Sequence, residues 1–497
     1  MNLSHRISRF AHNNTSLLIA TVALACVIHS TIRIYDLGHA SFWNDETLTW
    51  WMSKWSPQVL LSTVLDVHPP LYFGLMGLWK HLFGSTEFSF RLVSVVFSLL
   101  TLLSMFLHAN AINEERNFWL FPVIAVLFCF SPYDIHLARF ARSFTMLMFL
   151  CTAFSYTYFR FTISGEKYYW FLSLPWGIAA VYTHHLALVY VPCTIISCFL
   201  LKPGITSGLR ALLLGAIIAL SYLPWSIILP FQIVIKQFQY HYHSLADISG
   251  VEFLSLINPY PVGVIFSGLD YSVLNISGLI LSIAALVIVV IRLKECWRNI
   301  WTRALLVQSA LIVLFMSISP TPLLSDKNLC ILFPSALLIL GYSITKLWNL
   351  KSGYAGPAFL IAFVAVSGAG FPHSNRAPDW RGALKYIAQT TDGSESTALI
   401  IRPVFERPTL DYYHERGDLP ERLLEMERVG YGHSEVSEAV RQILKSEKNV
   451  NDVIVLSSQW ADGRPDDLAG HSDFVISETK DFMALDYYHL KRKPREE

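Results

Sequence analysis

Long, nearly uncharged apolar runs restrict this chain to a membrane. They lie near 16–34, 88–108, 117–131, 143–163, 168–183, 185–201, 210–230, 272–292, 303–319, 328–346 and 356–372. A helix crosses the hydrocarbon layer with about 17–25 mostly apolar residues, so the runs predict about eleven spans, although several are short or carry proline. Composition agrees: 53% of the 497 residues are hydrophobic and only 15% are charged, with mean hydropathy +0.42. A soluble chain carries about a quarter charged residues. Net charge is +1, which leaves no global electrostatic case for nucleic acid.

The first run follows Arg6 and Arg9 and lacks a small-x-small cleavage site. It leads into further spans, so it is expected to be a retained helix and not a signal peptide. Seven cysteines, all in or beside apolar segments, form no CxxC pair. They are read as small apolar fillers.

Basic residues orient the chain. With the N-terminus in the cytoplasm, the inner connections hold Arg6/Arg9, Arg116, Arg160/Lys167, Lys202/Arg210, Arg292/Lys294/Arg298/Arg303 and Lys346/Lys351. The outer connections hold fewer, among them Lys54, Lys80, Arg139, Arg142, Lys236 and Lys327. The expected location is therefore a cell inner (plasma) membrane, multi-pass, with a cytoplasmic N-terminus and a periplasmic or extracytoplasmic tail. Arg139, Arg142 and Lys327 sit near helix ends, where a charge close to lipid is costly unless it is paired or used.

Residues 1–372 are expected to form the membrane domain. Beyond about 373 charges become frequent, and strands such as Ala398–Ile401 and Val453–Leu456 alternate with polar helices. Residues 373–497 are thus expected to form a small α/β domain, with Asp379 capping a helix through Ala383–Ile387. The segment 231–271 is the other long outer connection.

The first outer loop, 35–87, is densest in chemistry. Asp45 and Glu46 follow Trp43, and Asp66-Val67-His68-Pro69-Pro70-Leu71-Tyr72 comes about twenty residues later. The proline pair suits the first turn of a helix over the apolar stretch 69–83. That stretch is short for a crossing and is read as interfacial; if it crosses, the count rises, to thirteen at most. The acids read equally as solvated loop residues or helix caps. Their placement at a helix N-terminus, against lipid, also suits a site for an anionic ligand.

The ordered set of motifs resembles glycosyltransferase family 39, which includes the protein O-mannosyltransferases and the lipid A aminoarabinose transferases. It comprises Trp43-x-Asp45-Glu46, Asp66-x-His68-Pro-Pro-Leu-Tyr72, Phe83-Gly84, Glu87-Phe88-x-x-Arg91-Leu92, Ala141-Arg142-Ser143-Phe144, Tyr182-Thr183-His184 and Leu223-Pro224-Trp225. Lys327-Asn328-Leu329 followed by Pro334, and Asp379-Trp380-Arg381, complete it. The chain departs from the family at Phe140, where Glu is frequent, at Phe144, where the family has Tyr, and at Lys327, often Arg. The resemblance implies a mainly α, polytopic GT-C fold with a small C-terminal domain. It also implies a sugar moved from a polyprenyl phosphate to an acceptor hydroxyl outside the cell, with inversion.

Such a transfer requires a carboxylate to take the acceptor proton and cations to neutralise the leaving phosphate. By match to the family's acid, Asp45 is the expected base, with Glu46 in support. Asp66 and His68 are expected to orient the base or bind the sugar, and Tyr72 and His184 to contact substrate. Arg142 and Lys327 are expected at the phosphate, arginine being suited to bidentate contact. The plainer readings are an interfacial anchor for Arg142 and a helix cap for His184. Asp379-Trp380-Arg381 is read as a joining interface. A monophosphate leaving group does not require a divalent metal, so no metal or other cofactor is expected. The partners are a polyprenyl-phosphate sugar, membrane lipid and a glycolipid, lipid A, polysaccharide or protein acceptor. Rival readings are a polymerase or ligase using a diphosphate-linked donor and a lipid or solute transporter.

Overall fold

Lipid offers no hydrogen-bond partner to the backbone, so an apolar run in it satisfies its own N–H and C=O groups as helix. The computed structural model describes residues 15–54, 68–113, 117–230, 232, 272–319, 323, 327–348, 354–370, 378–390, 397–402, 407–417, 452–458, 474–483 and 485–492. Asp66, Lys236 and most of 231–271 lie outside the described residues.

In chain order the helices begin α1 (Thr15–Ile34), α2 (Asn44–Met52), α3 (Leu71–Phe83), α4 (Glu87–Ile112), α5 (Leu120–Cys129), α6 (Pro132–Ala138), α7 (Phe144–Ser164), α8 (Lys167–Thr183) and α9 (Ala187–Leu201). They continue with α10 (Ile205–Ser226), α11 (Ser272–Ile291), α12 (Leu293–Arg298) and α13 (Ile300–Ile318). After a 3-10 turn at Lys327–Ile331 come α14 (Phe333–Leu347), α15 (Ala355–Gly370), α16 (Trp380–Thr390) and α17 (Arg407–Glu415). Each expected apolar run carries a helix. Among the described residues, α1, α4, α10 and α13 are long and apolar enough to cross a membrane alone, and α5 with α6 makes a fifth if that bent pair is one span. The protein is a membrane protein. Helix α3 has 13 residues, about 20 Å at 1.5 Å per residue, short of a hydrocarbon layer of about 30 Å.

The chain divides into two compact units built from non-contiguous stretches. The first comprises 1–37, 55–82 and 89–374, and the second 38–54, 83–88 and 375–497.

In the first unit, small residues let helices approach closely. A Cβ added to Gly341 in α14 would lie 2.5 Å from Ile124 Cγ1 in α5. Gly341→Val is therefore expected to overpack this contact and destabilise the fold by about 1–3 kcal/mol. A lowered thermal inactivation midpoint in detergent measures the loss; an unchanged midpoint would show that α5 yields. All seven cysteines are free thiols and six are buried, as small apolar fillers would be.

The second unit contains a four-stranded sheet, with β1 (Thr397–Arg402), β2 (Asp452–Ser458), β3 (Phe474–Phe482) and β4 (Leu485–Arg492) in the order β1-β2-β4-β3. Strand β1 runs parallel to β2, with Ala398 opposite Val453, and β4 is antiparallel to both β2 and β3. Central β2 buries Val453, Ile454, Val455 and Leu456 in succession, as a strand covered on both faces does. Helix α16 packs on β3 and β4 and buries Trp380, Ala383, Leu384 and Ile387, an apolar stripe of helical period. Asp379 Oδ1 accepts the Gly382 N–H at 2.9 Å, so the expected helix cap is present.

Candidate functional site

In the first unit the candidate residues gather where the helices break. Pro132 cannot donate to the carbonyl four residues earlier, and α5 and α6 meet there at a bend of 60°. Arg33 adds donors at this break: Nη2 reaches the Phe128 carbonyl, which also accepts the Ser131 N–H, at 3.0 Å and Nη1 the Cys129 carbonyl at 3.1 Å. Arg33 Nε and Nη2 also donate to Asp134 Oδ2 at 2.8 and 2.6 Å. Ser98 donates to the same oxygen at 2.6 Å, so its hydroxyl accepts from His29 Nε2 at 2.7 Å. All four side chains are fully buried. Sequence reading missed this cluster, although an arginine inside an apolar run signals a buried partner.

Arg139 donates to the Tyr35 and Asp36 carbonyls at 2.7 and 3.2 Å, which ties the end of α1 to the turn after α6. Arg142 follows in that turn. Its backbone N–H bonds the Phe140 carbonyl at 2.7 Å, and its side chain is buried. Helix α7 starts two residues later, and Ser143 at its N-cap makes no side-chain capping bond. Arg142 thus stands two residues before the positive end of a helix dipole, which favours an anion. Lys327 places Nζ 5.2 Å from the Phe140 ring centroid, and the Tyr133 hydroxyl meets the Lys327 carbonyl at 3.5 Å. Phe140 therefore forms a cation–π contact with Lys327.

The His184–His185 pair separates α8 from α9. His184 has extended backbone and its Nδ1 accepts the Leu186 N–H at 3.1 Å, which fixes its ring in the turn between the two helices. The same ring meets His68 at 4.8 Å between centroids and Phe144 at 5.8 Å. Residues more than a hundred positions apart, His68 and His184, are thus brought together. Tyr72 is buried on α3 just beyond. His185 Nε2 donates to Gln232 Oε1 at 3.0 Å, which leaves Nδ1 to accept from the Tyr222 hydroxyl at 3.0 Å. Tyr222 also lines an apolar groove of about 730 Å³ between α8, α9 and α10, with Val191, Ile195, Phe199, Leu212 and Ala219.

In the second unit, α2 carries the paired acids in its first turn. Glu46 is fully buried and its Oε2 accepts the Trp43 N–H at 3.0 Å, the reciprocal half of a capping box. Asp45, one residue nearer the N-terminus, is half-buried. The two acids thus have different surroundings: Glu46 is fully buried and tied to the helix start, whereas Asp45 is half-buried. Glu87, at the first turn of α4, is nearly buried and pairs with Arg416. It also accepts from the Tyr413 hydroxyl at 3.2 Å and lies 3.8 Å from Arg381 Nε. The Arg381 backbone N–H donates to Ser41 Oγ at 3.2 Å and its Nη2 to the Gly38 carbonyl at 3.3 Å. The Asp379-Trp380-Arg381 motif accordingly joins the tail to residues 38–54. Among the described residues, no three His, Cys, Asp or Glu side chains converge as metal ligands.

No family model matches the chain, and no curated protein matches it in sequence. Solved structures do match. ArnT from Cupriavidus metallidurans in the apo state superposes with TM-score 0.59 at 13% identity, covering 96% of this chain and 98% of that one. The same protein bound to undecaprenyl phosphate gives 0.57 at 12% identity, with coverage of 96% and 98%. The archaeal oligosaccharyltransferase AglB from Archaeoglobus fulgidus, in complex with an inhibitory peptide and a dolichol-phosphate, gives 0.54 at 11% identity, covering 95% of this chain and 74% of that one. At such identities the likeness is one of fold, and the fold this chain adopts is the GT-C fold of membrane glycosyltransferases.

Proposed function

We propose that the protein is a membrane glycosyltransferase that moves a sugar from a polyprenyl-phosphate donor to an acceptor hydroxyl, with inversion. The observation that carries this reading is the apolar groove of about 730 Å³ whose lining residue Tyr222 bonds His185. His185 neighbours His184, and the His184 ring meets His68. A long isoprenoid chain suits such a groove, and its phosphate suits the Arg142 turn at the start of α7. The two solved relatives described with a polyprenyl or dolichyl phosphate support the same donor class.

In this reading Asp45 accepts the proton of the attacking hydroxyl as the anomeric carbon passes from phosphate to acceptor oxygen. Glu46 holds the helix that carries Asp45. Arg142 and Lys327 neutralise the charge that develops on the departing phosphate, while His68, His184, Tyr72 and Asp66 contact donor or sugar. About eleven crossings and an extracytoplasmic site and tail complete the proposal.

The test is transfer by the purified protein in lipid nanodiscs, offered mono- and diphosphate-linked sugars. Transfer from the monophosphate donor is expected. Transfer from the diphosphate donor alone would point to a polymerase or ligase, and lipid or solute flux without transfer to a transporter. Ala219→Trp, which fills the groove, is expected to raise the KM for a full-length donor about tenfold while sparing a short-chain analogue. Equal effects on both donors would remove the groove from the site.

A further inference from the structure

The helix bearing Asp45 has only 9 residues, below the roughly 12–15 at which an isolated helix becomes even marginal in water. Its order therefore comes from what it packs against, and within the second unit that is α17, some 360 residues later in sequence. Thr47 and Thr409, both fully buried, share a hydroxyl–hydroxyl bond of 2.9 Å. The Tyr412 ring meets Phe42 at 4.8 Å and Trp50 at 5.2 Å, and Lys54 pairs with Glu415 while its Nζ lies 3.9 Å from the Trp50 ring centroid. The Tyr413 hydroxyl accepts the Phe42 N–H at 2.9 Å, just before α2 starts, and donates to Glu87. Burial raises the Tyr413 phenol above its usual range, and a phenol is protonated at neutral pH in any case. Arg416 closes the set on Glu87. These contacts reach α2 from before its first residue to beyond its last.

We propose that α17 is a positioning element for the candidate base, with Thr409 and Tyr413 as positioning residues that set where the Asp45 carboxylate stands. The inference rests on the reading of Asp45 as the base. It assigns to the C-terminal tail a part in the chemical step itself, separate from any recognition of the acceptor. Thr409→Val keeps the shape of the side chain and removes the bond to Thr47, whereas Thr409→Ser keeps the hydroxyl.

Because small misplacements of a catalytic group lower rates steeply, Thr409→Val is expected to lower kcat about tenfold with donor and acceptor KM unchanged. Thr409→Ser should stay within about twofold of the parent. Deuterium uptake by the 44–52 helix should rise in Thr409→Val and in Tyr413→Phe, and return to the parent level in Thr409→Ser. Parent kcat and parent uptake in Thr409→Val would overturn the proposal, as would a loss confined to acceptor KM. If Thr409→Val fails to fold, Tyr413→Phe carries the same two readouts. An active Asp45→Asn would sink the base assignment, while the uptake of the 44–52 helix would still report whether α17 positions it. An inactive Asp45→Asn beside a fully active Thr409→Val would sink this inference alone.

Discussion

Asp45→Asn is expected to lower sugar transfer by about 10²–10⁴-fold, the contribution of a positioned general base, while the protein inserts and folds as before. The substitution keeps the size and polarity of the side chain but takes away its ability to accept a proton. Asp45 lies in the first turn of α2. It is half-buried, whereas Glu46 beside it is fully buried and bonded to the Trp43 N–H. Glu46→Gln should therefore stay within a few-fold of the parent, since glutamine also serves in a capping box. Radiolabelled sugar transferred from the lipid donor, measured beside the melting profile, separates the two acids. Full activity in Asp45→Asn with loss in Glu46→Gln would exchange their roles.

The second large effect concerns stability. Asp134→Leu leaves the Arg33 guanidinium buried without its carboxylate, and breaking a buried pair from one side costs about 3–5 kcal/mol. The double variant Arg33→Leu/Asp134→Leu removes the uncompensated charge and should recover part of that loss. Full recovery is not expected, because Arg33 also serves the Phe128 and Cys129 carbonyls at the break before Pro132. Thermal inactivation in detergent should therefore rank the parent first, the double variant second and Asp134→Leu last. If Asp134→Leu matched the parent, the pair would not secure the break between α5 and α6. The same segment continues through Arg139 into the Arg142 turn, so a loosened break is also expected to weaken donor binding.

Most of the helical architecture was legible in the sequence. In lipid an apolar run has one way to satisfy its backbone, and each of the runs carries a helix near its expected place. The Asp379 cap, the helix over 71–83 and the strands at 398–401 and 453–456 were legible for a similar reason: they depend on local chemistry or on short patterns of burial. Asp45 and Glu46 were visible as a pair, but their different surroundings were not. A capping bond and a burial state depend on where a helix starts and on what covers it.

Long-range proximity was not legible in any local pattern; only the family resemblance implied that His68 and His184 meet one substrate. Nothing near His68 indicates that its ring meets His184, and nothing in the tail indicates that Thr409 and Tyr413 hold the segment 42–47. The Arg33–Asp134 pair left half a signal, a charge in an apolar run, without naming its partner. By itself, then, the sequence determined a polytopic helical membrane protein with an acidic first loop, because transfer of side chains from water to lipid is a property of composition and run length. Only the tertiary structure decided which acid is capped, which cations stand at a helix start and which distant residues order the short helix of Asp45. Those outcomes depend on distances set by packing, which no local pattern of residues encodes.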